Sequence, residues 1–160
     1  MLSISDALSG DGLLQARTLF EEYAASLGID LCFQDFSREL ATLPGAYSPP
    51  GGRLLLARWN QEPAGCVAFR PLQHDICEMK RLYVRPAYRG FGVGRALAER
   101  IIREAGAAGY TSMRLDSLTS MEPALQLYRR MGFRDVPPYR ENPVPGAVFM
   151  ELRLACQTTA

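Results

Sequence analysis

The stretch from Glu78 to Arg95, Glu-Met-Lys-Arg-Leu-Tyr-Val-Arg-Pro-Ala-Tyr-Arg-Gly-Phe-Gly-Val-Gly-Arg, constrains the fold more than any other part of the chain. A strand pattern ends at Val84, glycines follow at 90, 92 and 94, and a helical periodicity begins at Val93. Glycines spaced in this way let the backbone bend tightly and leave no Cβ in the path of a ligand, so several amide N–H groups can point at one anion. The positive end of the following helix adds to that field. The pattern predicts a pocket for a diphosphate.

Two other phosphate loops are excluded by spacing. A Walker loop closes on Gly-Lys-Ser/Thr to reach the outer phosphates and magnesium, whereas this loop closes on Gly94-Arg95-Ala96. A dinucleotide fingerprint begun at Gly90 or at Gly92 needs its third glycine at 95 or 97, and those residues are Arg95 and Leu97. What fits is Arg-x-x-Gly-x-Gly, filled by Arg89, Gly92 and Gly94. With its Leu-Tyr-Val strand, Arg-Pro turn and Tyr-Arg-Gly lead-in, the stretch resembles the coenzyme A pyrophosphate loop of the GNAT superfamily of N-acetyltransferases. A second motif, Ala124-x-x-Leu127-Tyr128-x-x-x-Gly132-Phe133, is similar to the helix that these proteins carry after the loop.

Composition is consistent with that resemblance and excludes other classes. A chain of 160 residues, 48% hydrophobic and 22% charged, suits one globular domain, read here as a GNAT-like acetyltransferase domain over residues 1–160. A net charge of +1 gives no general attraction to nucleic acid or to a membrane surface. The arginines cluster locally instead, Arg81, Arg85, Arg89 and Arg95 lying around the glycines. Cys32, Cys66, Cys77 and Cys156 have no metal-type spacing, and His74 is the only histidine, so no metal site and no Ser-His-Asp arrangement is expected. No apolar stretch nears the ~20 residues of a membrane span, and a cytoplasmic location is the expectation.

Taken in order, Met1 to Ile4 reads as an edge strand. Leu13, Ala16, Leu19, Phe20, Tyr23 and Leu27 recur at helical spacing up to Gly28, and a short helix is predicted from Phe33 to Thr42. Strands at 53–59 and 65–69 are joined through Asn60-Gln61-Glu62-Pro63, and a third ends at Val84. The helix from Val93 to about Ala108 leads to a strand at 112–117, which a crossover makes parallel to the one ending at Val84. A helix follows from Met121 to Gly132, then strands near 133–136 and 148–154. The expected fold is mixed α/β, a mostly antiparallel sheet of six to seven strands flanked by four helices and splayed at two parallel central strands.

The resemblance implies transfer of acetyl from acetyl-CoA to a primary amine, of a small molecule or amino acid, by direct attack in a ternary complex. It places the cofactor on Leu82, Tyr83 and Val84 through their backbone, on Arg89, Gly90, Phe91, Gly92, Val93, Gly94 and Arg95, and on Tyr128. Tyr128 is the implied general acid, since a phenol with a reference pKa of ~10 is protonated at neutral pH, and Glu78 the implied base. Gln34, Glu39, Tyr47, Tyr139 and Asn142 stand in turn-rich segments that border the expected acceptor side. Met121 departs from the family pattern, where asparagine is common; Ser117, Thr119 and Ser120 are the polar residues near it. Protein lysines or N-termini are alternative acceptors, a non-catalytic acyl-CoA sensor is the alternative class, and a homodimer fits the resemblance.

Overall fold

The computed structural model describes residues 1–28 and 35–154. The run Leu54-Leu55-Leu56-Ala57 has no polar face, and the reason is burial on both sides. Leu55 and Ala57 join a core with Leu97 and Ile101, while Leu54 and Leu56 join a second core with Leu19 and Phe20. A sheet covered on both faces by helices reads as a continuous apolar run rather than an alternation.

That sheet has seven strands: β1 (Leu2–Asp6), β2 (Arg53–Trp59), β3 (Glu62–Gln73), β4 (Ile76–Val84), β5 (Ser112–Leu118), β6 (Arg134–Asp135) and β7 (Ala147–Arg153). Their spatial order is β1-β2-β3-β4-β5-β7-β6. Every pairing is antiparallel except β4 with β5, as the crossover requires. Four helices are described: α1 (Gly10–Leu27), α2 (Phe36–Thr42), α3 (Val93–Ala107) and α4 (Glu122–Arg130). Helix α3 buries Val93, Leu97, Ala98, Ile101 and Ala105 on one side of the sheet, and α1 buries Ala16, Leu19 and Phe20 on the other. Among the described residues, no helix is long and apolar enough to cross a membrane.

The β2–β3 hairpin is tighter than its sequence predicts. Strand β3 starts at Glu62, so the turn is Asn60-Gln61 alone, with φ of 48° and 73°. Positive φ at both positions matches the twist of a two-residue hairpin, and here Asn and Gln supply it where glycine is usual. Strand β3 also runs past Pro63 and Pro71, and shifts of register lie beside both prolines. Proline has no N–H to give a ladder, and such irregularities are where a strand can hold one.

Two irregularities in β4 shape the centre of the molecule. Its pairing with β5 covers only Ile76↔Ser112, Cys77↔Met113 and Glu78↔Arg114, after which the strands part. On its other edge Cys66 pairs with Tyr83 but Ala68 with Lys80, so β4 carries one extra residue, and Arg81 there has φ of 63°. This is a β-bulge, which bends a strand and re-aims its side chains. The effect shows in the packing: Cys77 and Met79 face the α3 core, yet Tyr83 belongs to the α1 core. Arg81 is held in its left-handed conformation by two 2.9 Å hydrogen bonds to Glu39 of α2, with its guanidinium 5.0 Å from the Phe36 ring centre.

Gly65 is the point where β3 passes closest to the bulged strand. A Cβ added there would lie 2.6 Å from the Tyr83 carbonyl oxygen, which is backbone and cannot swing aside. Gly65→Ala should therefore cost about 1–3 kcal/mol, the usual range for overpacking, seen as a lower midpoint in urea or thermal unfolding. An unchanged midpoint would show that the bulge yields.

Candidate active site

Where β4 and β5 separate, a cleft opens. Met79, Lys80, Arg81 and Leu82 line it from β4, and Leu115, Asp116, Ser117 and Leu118 from β5. Tyr23 and Leu27 of α1, Met121 and Tyr128 at α4, and Asn142 and Val144 of the loop before β7 complete the wall. The glycine loop lies at the end of β4 that leads into this opening.

The loop folds as the spacing predicts. Gly90 and Gly92 have φ of 86° and 84°, and nothing stands within 4 Å of a Cβ at either. Gly92 caps α3, whose first internal bond runs from Ala96 N–H to Gly92 O at 3.0 Å. The N–H groups of Val93, Gly94 and Arg95 precede that bond and have no partner inside the helix, which leaves donors of the kind an anion can take up. Val93 buries its side chain in the core beneath. Arg89 gives one of its five donors to the Val84 carbonyl at 2.9 Å and lies over the Tyr83 ring. Phe91 is exposed, with its ring 5.5 Å from that of Trp59.

The arginines predicted as one patch have separate partners. Arg81 is bound to Glu39, Arg85 to Glu22 at 2.7 Å, and Arg95 to Glu99 at 2.9 Å on the helix surface. The resulting hydrogen bonds hold the Glu22 carboxyl below its usual range. Arg89 is the member of the group aligned with both glycine and strand.

Tyr128 is buried, faces the cleft, and lies against Phe133. Burial raises its pKa, as does the nearby Asp116 charge, so the phenol keeps its proton. Glu78 lies outside the cleft lining and is fully buried. Arg70 reaches its Oε1 at 3.2 Å, and Oε2 accepts from Arg140 and from the Tyr139 hydroxyl, each at 2.7 Å. Asn142 donates to Asp116 Oδ2 at 3.1 Å. Glu39 and Tyr47 border a different cavity of about 290 Å³, together with Arg38 and Arg70. Among the described residues, the buried Tyr47 hydroxyl has no hydrogen-bond partner. Gln34, Cys32 and Cys156 lie outside the described residues. Cys66 and Cys77 are free, and burial pushes both thiols up, which removes them as nucleophiles. Met121 accepts a 3.7 Å contact from Ser117 Oγ at the cleft wall.

The cleft contains an ion pair that the motifs did not indicate. Lys80 Nζ lies 3.6 Å from Asp116 Oδ1, the two side chains only 3% and 5% exposed. Burial pushes the Lys80 ammonium down to about 8, against the pull of Glu78 and Asp116. One signal was legible: Lys80 is the single lysine of the chain, beside seventeen arginines.

A family model described as the acetyltransferase (GNAT) family matches residues 16–133. The chain belongs to the GNAT family. It is 42% identical over 156 residues to an uncharacterised N-acetyltransferase of Schizosaccharomyces pombe, with 96% of each chain covered. It is 31% identical to one of Dictyostelium discoideum, over 88% of this chain and 94% of that one. The fold matches that of a Salmonella typhimurium protein solved with its cofactor acetyl-CoA, at a TM-score of 0.67 and 21% identity over 99% and 96% of the two chains. Membership makes this chain an acetyl-CoA-dependent transferase, and its residues fit the cofactor: open space at Gly90 and Gly92, spare amides at the start of α3, and a cleft between parted strands.

Gly94 separates ligand from scaffold. Its φ is not in the left-handed range, and an added Cβ would make an ordinary 3.4 Å contact with Val84. Gly94→Ala should leave the melting temperature equal or higher, since glycine in a helix costs roughly 0.5–1 kcal/mol relative to alanine. Coenzyme A affinity should fall at least about tenfold, or ~1.4 kcal/mol, by calorimetry. Retained affinity would move the diphosphate elsewhere.

Proposed function

We propose that this protein transfers acetyl from acetyl-CoA to the primary amine of a small molecule, by direct attack with both substrates bound. The observation that carries the reading is the continuity of two features: an amide-lined anion site at the start of α3, and a cleft between β4 and β5 that ends against Tyr128. The amides of Val93, Gly94 and Arg95, with Arg89 beside them, bind the diphosphate. The exposed edges of Leu82, Tyr83 and Val84 orient the arm, and main-chain N–H groups there can polarise a carbonyl, an effect worth several kcal/mol in such sites. When bound, the cofactor supplies the activated acyl group and the leaving thiol.

In this reading Tyr128 holds the proton to be donated, at Oη. The base role expected of Glu78 passes elsewhere, because three donor residues occupy its two oxygens and it lies outside the cleft lining. Glu78 acts instead as the anchor for the loop before β7. With Asn142 bound to Asp116, that loop is fastened across the acceptor side at two points. A fastened loop suits a compact amine better than an extended peptide, which favours a small acceptor over protein lysines or N-termini. A proton donor placed in the cleft favours an enzyme over a sensor.

Thiol release from acetyl-CoA, measured over amino acids, polyamines, aminoglycosides and peptides with free amines, tests the activity. Saturable coenzyme A binding with no thiol release from any of them would favour the sensor. Tyr128→Phe should lower kcat by ~10²-fold, the lower end for general acid catalysis, and leave coenzyme A affinity within about threefold. Unchanged kcat would remove Tyr128 as the acid.

A further inference from the structure

We propose that Lys80, held against Asp116 at the parting of β4 and β5, takes the proton from the ammonium of the acceptor. The inference rests on the acetyltransferase reading above and adds a catalytic residue to it.

The placement comes from the sheet itself. Glu78 and Arg114 are the last paired residues of the two parallel strands, and Lys80 and Asp116 stand two residues further on in the same register. They face each other across the mouth of the gap, where their 3.6 Å contact replaces the ladder. Three charged side chains among the described residues line the cleft: Lys80, Arg81 and Asp116. Arg81 makes a fork to Glu39, and a guanidinium does not give up its proton in proteins. Asp116 has Lys80 at one oxygen and Asn142 at the other. Lys80 is left as the cleft group able to exchange a proton near neutral pH.

Its surroundings set that exchange. Burial disfavours the ammonium, Glu78 and Asp116 favour it, and Arg81 and Arg70 oppose it, with about 8 as the outcome. Tyr23 of α1 and Tyr128 of α4 face the same cleft, and burial raises both phenols, so both stay neutral. Asn142, from the loop, carries no charge. Elsewhere among the described residues arginine makes the ion pairs, as in Arg53–Asp6, Arg85–Glu22 and Arg114–Glu151. An arginine would serve charge alone at position 80; only an amine can also be deprotonated.

The step balances. An N–H bond of the acceptor ammonium breaks as its proton joins the lone pair on Lys80 Nζ, and the freed pair on the acceptor nitrogen becomes the nucleophile. As the C–N bond forms and the C–S bond breaks, Tyr128 Oη gives its proton to the departing sulfur. The second proton leaving the acceptor nitrogen returns to that phenolate, and Lys80 Nζ releases its proton to solvent, restoring both residues.

Because the chain has one lysine, protein grown with [ε-¹³C]lysine gives a single side-chain signal to titrate with coenzyme A bound. That signal should titrate near 8, and kcat for the fastest amine of the panel should rise with pH through the same midpoint. Removing the Asp116 charge with Asp116→Asn removes a pull on the ammonium, so both midpoints should move down together, by about one pH unit or more. Lys80→Arg keeps the charge facing Asp116 but not the proton exchange, and should lower kcat by ~10²–10⁴-fold with coenzyme A affinity unchanged. A lysine signal titrating above about 10, a kcat midpoint unmoved by Asp116→Asn, or Lys80→Arg within about threefold of the parent would each overturn the proposal while the acetyltransferase reading stands. Failure of the unaltered protein to bind coenzyme A would overturn both.

Discussion

The molecule is organised around one unmade set of hydrogen bonds, those β4 and β5 would exchange beyond Glu78 and Arg114. Parallel strands joined by a helical crossover normally pair along their length, and unpaired peptide groups inside a protein are costly. Here the bulge at Arg81 bends β4 out of the ladder and leaves main-chain donors and acceptors facing an open cleft. A non-glycine residue with φ of 63° costs of order 1–3 kcal/mol, and α2 offsets it. Glu39 grips the guanidinium with two bonds, and Phe36 lies against its face. The short α2 is thus part of the cleft's support, through the cleft-lining Arg81 that it holds.

The two faces of the sheet are built on different physics. Toward α3 and α4 the surface is apolar throughout, with Met79, Met113, Leu115 and Met150 under Leu97, Ile101 and Leu125. Toward α1 it is apolar over β2, most of β3 and Tyr83 of β4. From Arg70 of β3 across β4, β5 and β7 that face carries an ionic layer that also includes Glu78, Lys80, Arg114, Asp116 and Glu151. Buried ions are a weak source of stability, because desolvation cancels much of their attraction. What this layer supplies is position, since each carboxylate fixes the donors that meet it. Glu78 orients Tyr139 and Arg140, Asp116 orients Asn142, and Arg114 joins β5 to Glu151 of β7.

Most of the architecture was legible in the residues because the signals were local. Glycines at 90 and 92 need positive φ, Gly132 ends α4 with φ of 103°, and a strand, helix, strand order forces the parallel pair. The Asn60-Gln61 turn was harder, since neither residue announces a left-handed conformation as glycine does. Long-range pairing of side chains was not legible at all. Nothing in the sequence near Arg81 or Glu39, forty-two positions apart, says that they meet, and the same holds for Lys80 and Asp116. Glu78 was legible as a carboxylate on the central strand, but its three partners come from β3 and from the loop before β7, which only the fold brings together.

The cleft divides its work between groups that titrate and groups that do not. At the α3 end the donors are peptide N–H groups, which keep their protons at any pH a folded protein tolerates, reinforced by an arginine that is always charged. In the reading proposed above, the protein groups that hold the diphosphate keep one charge state across the physiological range. At the other end stand an ammonium brought near neutrality by burial and two phenols driven upward by the same burial. One low dielectric acts with opposite sign on a cationic and on a neutral acid, and so holds an acceptor and a donor of protons a short distance apart. In that reading the titration of Lys80 bears on turnover, while the peptide and guanidinium contacts proposed for the diphosphate keep their charge.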